Sequence, residues 1–237
     1  MIEKRTHDDF YLKEKKTTKP KFLTTYVYNH LRRKKFKSLL DIGIGNGEFL
    51  KYLNFKLPNK NYIGTDVHKK LLIYNKKKYS NIKFFYDDII KKNKKKLKAD
   101  VVHCRGVINI FDQPKTFLDG IINRCNKKGE IYIIHYFNDY GMDYLVKYRD
   151  NNLSKMKNHF EKGWNVFSKL SITSLLEKNK SIKSFKFLKI NFPKNLNVKR
   201  NFKDFSRTWT LDIGKQKYFI NGLGFLNKLY LLKIKMK

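Results

Sequence analysis

The chain has 237 residues, 41% of them hydrophobic and 15% aromatic, which is enough for one sizeable α/β core and too short for two ordinary domains with a linker. Those proportions exclude a disordered tail, and the absence of a Gly-X-Y or heptad period excludes a fibrous protein. The formal charge is +34, but 46 of the 54 basic residues are Lys scattered along a chain rich in Asn, Ile, Phe and Tyr with one Ala, a low-GC signature rather than a gathered basic arm.

Short β-rich runs alternate with longer helical ones, the pattern of a parallel sheet flanked by helices. Residues 20–31 read as a helix with Pro20 near its first turn. SLLDIGIG, from Ser38, is a buried strand running into glycines, and Glu48 opens the next helix. NYIGTD from Asn61 is a second strand, residues 69–77 a helix, and IKFFYDD from Ile82 a third strand. The Lys run at 91–98 lacks interleaved aromatics and reads as a solvated connection. ADVVHC is a fourth strand, residues 114–125 a helix, and NKKGEIYIIHYF a turn into a fifth strand.

Beyond Phe137 the rhythm changes. Residues 138–180 read as helical and polar, SFKFLKINF as a strand, RTWTLDIGKQKYFI as a hairpin turning at Gly214, and NKLYLLKIKM as a terminal strand. With no repeat and no Pro/Gly/Ser linker, the expectation is one domain: a helical cap over 1–37, a ligand-binding core over 38–137, and substrate-side helices and strands over 138–237. Cys104 and Cys125 cannot build a disulfide framework, and no apolar run is long enough to span a membrane, so a soluble cytoplasmic protein is expected.

Chemistry concentrates in LLDIGIGNGEF, residues 39–49. A strand ends in Asp41, and Gly43, Gly45 and Gly47 alternate with other residues before a helix begins. Such glycines let backbone approach a ligand at a helix N-terminus. The dinucleotide form, G-x-G-x-x-G, would put glycine where Glu48 stands, and a carboxylate there repels pyrophosphate.

The G-x-G-x-G spacing after an acid instead resembles motif I of the class I S-adenosylmethionine-dependent methyltransferases, in which this turn packs beside the methionine end of the cofactor. Asp66 ends the second strand about twenty residues on, where an acid takes ribose hydroxyls. FFYDDI resembles the family's motif III, with Asp88 and Ile89 as the adenine-binding pair and Asp87 as the alternative. ADVVHCRGVINIFDQP resembles its motif IV region, and NKKGEIYII its turn into strand five, with Gly-Glu in place of Gly-Gly. The resemblance covers residues 39–136. It implies a Rossmann-like α/β fold: seven strands, mostly parallel, the last antiparallel, with helices on both faces and an N-terminal helix near the site. It also implies S-adenosylmethionine as cofactor, held by Asp41, Gly43, Gly45, Asn46, Gly47, Asp66, Val67, Asp87 or Asp88, Ile89 and Cys104.

The acceptor is read by exclusion. The Asn/Asp-Pro-Pro-Tyr/Phe of amino-methylating nucleic-acid enzymes is replaced by His103-Cys104-Arg105-Gly106, and Cys104 lacks the proline beside the cytosine-C5 nucleophile. A small-molecule or sugar acceptor, compatible with an anionic one, is expected to be O-methylated, in the style of surface-polysaccharide enzymes. An RNA methyltransferase or nucleic-acid binder is the alternative suggested by the charge. His135 and His103, at strand ends, are the candidate bases, with a nominal pKa near 6.5. Asp139 and Asp143 near His135 have no compact ligand spacing, so no metal is expected. Arg207 and Trp209 are candidates for holding a sugar or phosphate.

Overall fold

The computed structural model describes residues 10–13, 19–93, 96–151, 160–200 and 207–237. In chain order come α1 (Phe10–Lys13), α2 (Phe22–Leu31), β1 (Ser38–Ile42), α3 (Glu48–Lys56), β2 (Asn61–Asp66), α4 (Lys69–Lys78), β3 (Lys83–Tyr86) and β4 (Ala99–Arg105). They are followed by α5 (Pro114–Ile122), β5 (Cys125–Asn138), β6 (Lys147–Tyr148), β7 (Glu161–Lys162), β8 (Phe167–Ser168), α6 (Lys169–Glu177), β9 (Ile182–Lys189), β10 (Trp209–Ile213), β11 (Gln216–Ile220) and β12 (Leu229–Met236). Seven strands lie side by side in the order β3-β2-β1-β4-β5-β12-β9, and β8 pairs with the end of β5. The pairs from β3 to β5 are parallel, whereas β12 runs antiparallel to both β5 and β9.

The strand period of two divides the core. Leu40, Ile42, Val102, Cys104, Ile131 and Ile133 face one side, where Phe117 and Ile121 of α5 and Ile172 and Leu176 of α6 cover them. Leu39, Val101, Tyr132 and Ile134 face the other, against Val27 and Leu31 of α2 and Phe49, Leu50 and Leu53 of α3. Helices therefore sit on both faces. Each fully buried Leu contributes roughly 1.5–3 kcal/mol of transfer free energy. The reversal of strand order beside β1, with β2 on one side and β4 on the other, opens a crevice above the carboxyl ends of the strands, the place where open α/β sheets bind ligands.

The segment 138–180 departs from expectation. Within its described residues only α6 is an α-helix; the rest is irregular backbone with the two-residue strands β6, β7 and β8. Its backbone bonds are long-range: Tyr144 and Val166 exchange N–H···O bonds of 2.8 and 3.0 Å, and β6 pairs antiparallel with β7. Glycines at 141 and 163 and a scatter of Asn weaken helix there, with no apolar stripe to compensate. Residues 152–159 of this stretch, like 1–9 and 14–18 of the expected N-terminal cap, lie outside the described residues. The expected hairpin forms as β10–β11, a separate two-stranded sheet, with Gly214 at φ +57° in its turn. No helix among the described residues is long and apolar enough to cross a membrane.

Candidate active site

Between β1 and α3, Gly43, Gly45 and Gly47 all have positive φ, at +74°, +53° and +75°. Two of them are also required by packing. A Cβ on Gly43 would overlap Val107 Cγ2, and one on Gly47 would overlap Asn75 Oδ1. Gly43 and Ile44 donate to the Thr65 carbonyl at 2.8 and 3.3 Å, tying the turn to β2. Asn46 accepts from the Glu48 amide through Oδ1 at 3.3 Å, closing the entry to α3. The N-terminal segment reaches this place: the Tyr11 ring lies 3.3 Å from where a Cβ on Gly45 would stand.

The strand-end acids divide by role. Asp41 is 3% exposed, and its Oδ1 accepts from His103 Nδ1 at 2.7 Å. Asp66 is half-buried at the end of β2, with Oδ1 accepting from the His68 amide at 2.9 Å, and Val67 follows, also half-buried. Both Asp87 oxygens are taken by Arg124, which is 1% exposed: Nε donates to Oδ2 at 2.6 Å and Nη2 to Oδ1 at 2.7 Å. That bidentate pair makes Asp87 a structural anchor. Asp88 lies beside it, with Oδ1 accepting from the Ile90 amide at 3.3 Å and Oδ2 in a loose ion pair with Lys91 Nζ at 3.9 Å. The Ile89 side chain packs into the core near Gly120, so the side chain expected to pack on an adenine ring is turned inward.

The two candidate bases lie on opposite faces of the sheet. His103 shares its face with Val101 and stacks on Phe49 at 4.1 Å between centroids. His135 shares the face of Ile133 and Phe137. They cannot converge on one acceptor. His135 is 2% exposed and its Nε2 donates to the Asn165 carbonyl at 3.1 Å. Burial lowers its pKa to about 4, only partly offset by that carbonyl, in place of the value near 6.5 expected from sequence. His103 Nε2, by contrast, is buried with no hydrogen-bond partner.

Cys104 requires a correction too. Its side chain is fully buried in the core on the face opposite His103. Burial, reinforced by the Asp41 carboxylate, pushes its thiol well above the ordinary value. The side chain serves packing and offers nothing to a ligand.

Asp139 is committed to Lys228 and Tyr230, and Asp143 accepts from the Ser168 amide at 2.6 Å. Burial works to raise the Asp139 pKa, but hydrogen bonds from Lys169, Tyr230 and Lys228 outweigh it and hold the carboxyl well below its usual range. No group of three His, Cys, Asp or Glu among the described residues could hold a metal ion. Trp209 stands beneath the Arg200 guanidinium at 5.2 Å.

Three residues escaped the sequence reading. Arg124 fixes the end of β3. Asn165 holds the loop after β4 through Phe111 and Asp112. Asn75, fully buried on α4, donates to the Gly45 carbonyl at 2.8 Å.

A left-handed glycine turn at the N-terminus of a nine-residue helix, followed by the strand-end carboxylates Asp66 and Asp88, suits a ligand with a zwitterionic end, a diol and an amino-bearing ring. The residues present therefore fit the expected cofactor.

The family model for a methyltransferase domain matches residues 14–179. Among solved structures, the N-terminal domain of EvdMO1, crystallised with SAH and D-fucose, superposes with a TM-score of 0.57 at 10% identity, over 91% of this chain and 82% of that one. The plantazolicin methyltransferase BpumL, in complex with a pentazolic desmethylPZN analog and SAH, gives 0.53 at 17% identity over 91% and 82%. A SAM-dependent methyltransferase from Methanosarcina mazei gives 0.56 at 11% identity over 89% and 96%. At such identities the likeness is one of fold. A curated protein, the DNA-directed RNA polymerase subunit alpha of Euglena longa, is 34% identical over 107 residues, 44% of this chain and 42% of that one. The match spans less than half of either chain and establishes no shared family.

Proposed function

The chain belongs to the methyltransferase domain family, and from that premise we propose that it moves the methyl group of S-adenosylmethionine to a hydroxyl of a small polar acceptor such as a sugar or a carrier-linked saccharide. The observation that carries the cofactor assignment is the glycine turn in left-handed conformation between β1 and α3, with Asp66 at the end of β2 and Asp88 two residues beyond β3. Gly43, Gly45, Asn46 and Gly47 form the wall for the methionine end, Asp66 with Val67 takes the ribose, and Asp88 takes the adenine amino group. When bound, S-adenosylmethionine supplies a methyl already activated on a sulfonium.

What remains for the protein is alignment and, for a hydroxyl, removal of a proton. His103, whose Nε2 is buried until an acceptor reaches it, is the base we assign to that second task. Asp41 accepts the Nδ1 proton, which leaves Nε2 as the lone-pair nitrogen, whereas His135 spends Nε2 on Asn165. The acceptor enters from the side of β4 and β5, and a sugar hydroxyl is favoured by the D-fucose found with EvdMO1. In this reading the enzyme works in the cytoplasm on precursors of a surface polysaccharide.

Calorimetry with S-adenosylhomocysteine tests the cofactor half. Asp66→Ala should weaken binding about tenfold or more, because it removes both acceptors for the diol. Unchanged affinity in that variant and in Gly43→Val would sink the assignment. For the acceptor half, label transfer from S-adenosylmethionine to a panel of monosaccharides and nucleotide sugars should exceed transfer to RNA.

A further inference from the structure

The helix α4 touches both ends of the proposed cofactor site. At its start, the Asp66 carboxylate accepts from the His68 amide at 2.9 Å, and His68 Nδ1 in turn accepts from the Leu71 amide at 3.4 Å as the helix N-cap. One turn beyond Leu71, Asn75 donates through Nδ2 to the Leu71 carbonyl and to the Gly45 carbonyl, both at 2.8 Å. Asn75 is 0% exposed, and its Oδ1 is buried without a hydrogen-bond partner, packed where any Cβ on Gly47 would have to go.

A fully buried amide in a helix interior costs free energy unless it is used. Here it is used on the one carbonyl at the middle of the glycine turn. The Tyr79 hydroxyl adds a weaker bond to the Asn46 carbonyl at 3.4 Å. The same helix thus fixes the diol-binding acid at one end and the glycine turn two turns later.

We propose that Asn75 is a positioning residue for the cofactor: by holding the Gly45 carbonyl, it sets the distance from the glycine turn to Asp66 and so selects a ligand that carries both a ribose and an amino-acid end. The inference rests on the cofactor reading above. Backbone N–H groups at the start of α3 suit the amino-acid carboxylate, and Asp66 suits the diol. Loosening Asn75 moves the first and leaves the second, since Asp66 is held through His68.

The experiment compares two probes, S-adenosylhomocysteine and 5′-methylthioadenosine, the second having the ribose and adenine but no amino-acid end. Calorimetry is run on the wild type, Asn75→Ala and the volume-matched Asn75→Leu. The expected result is a loss of about tenfold in S-adenosylhomocysteine affinity with 5′-methylthioadenosine affinity kept within about threefold, the size of one lost buried hydrogen bond felt at one end only. Retained binding of 5′-methylthioadenosine also reports that the variant is folded. Equal loss of both ligands, or loss of fold in both variants, would make Asn75 a packing residue and overturn the proposal. Failure of the wild type to bind S-adenosylhomocysteine would instead count against the cofactor reading itself.

Discussion

His103 Nδ1 and Asp41 Oδ1 lie 2.7 Å apart on register-paired positions of β4 and β1, both side chains almost wholly buried and the imidazole stacked on Phe49. A carboxylate acceptor on Nδ1 fixes the tautomer and makes Nε2 the basic nitrogen, the logic of an acid-oriented histidine base. Two substitutions separate packing from chemistry. Asp41→Ala leaves a buried imidazole N–H unpaired and should cost about 1–3 kcal/mol in urea denaturation. Asp41→Asn still offers an oxygen to Nδ1 but no longer enforces one tautomer, so it should cost far less stability while lowering kcat by roughly 10²–10⁴-fold. If kcat merely followed the folded fraction in both variants, His103 would be a structural histidine.

His135 gives a prediction of pH dependence. In the unfolded chain its imidazole binds a proton below about 6.5, whereas in the fold burial delays protonation to about 4. Between those values the unfolded state holds more protons, so stability rises with pH across the window and levels off above it. Acidification from pH 7 to 4 should therefore cost about 3 kcal/mol from this residue alone. His135→Gln should lack that share of the slope when urea midpoints are compared at pH 4.5 and 7. Identical slopes would mean that His135 is not buried in its neutral form. Nor should activity show a step near pH 6.5 that depends on His135.

The parts legible in the sequence are those governed by local period and turn chemistry. Gly43, Gly45 and Gly47 announced a left-handed backbone that L side chains rarely adopt, and the alternation around Asp41, Asp66 and Asp88 located three strand ends. The same period of two would have placed His103 with Val101 and His135 with Ile133, on opposite faces, had parity been followed from one strand to the next. Arg124 and Asp87 are 37 positions apart, and nothing local to either announces the pair. Asn75 left a fainter signal: it continues the apolar row of Leu71, where an exposed residue would not fall. The stretch from 138 to 168 is misread as helical because its backbone bonds, such as those between Tyr144 and Val166, join distant residues.

The charge predicts behaviour toward RNA. A minority of the described lysines face carboxylates, including Lys34 on Glu130, Lys162 on Asp112, Lys217 on Asp212 and Lys228 on Asp139. The remainder should bind RNA only through diffuse counterion release, with affinity falling steeply as salt rises, at a log–log slope of roughly −0.7 per contact. Filter binding between 50 and 200 mM salt would measure it. Micromolar affinity surviving at physiological salt would move the acceptor from a sugar to RNA.

Asp87 and Asp88 are neighbours with opposite expected phenotypes. Asp87 neutralises Arg124, whose remaining N–H groups reach the carbonyls of Asp88, Ile89 and Gly120 at 3.2, 3.2 and 2.9 Å. Asp87→Ala leaves that guanidinium buried and unpaired, so it should cost about 3–5 kcal/mol of stability. The folded fraction should still bind S-adenosylhomocysteine almost normally. Asp88→Ala gives up one long bond to the Ile90 amide and an outlying contact with Lys91, a loss of about 1 kcal/mol. It should nevertheless weaken S-adenosylhomocysteine about tenfold by removing the acceptor for the adenine amino group. Chemical denaturation and calorimetry on the same two proteins decide the matter. A stable Asp87→Ala that had lost its ligand, beside an Asp88→Ala that had kept it, would transfer the adenine role to Asp87 and require Arg124 to release it on binding.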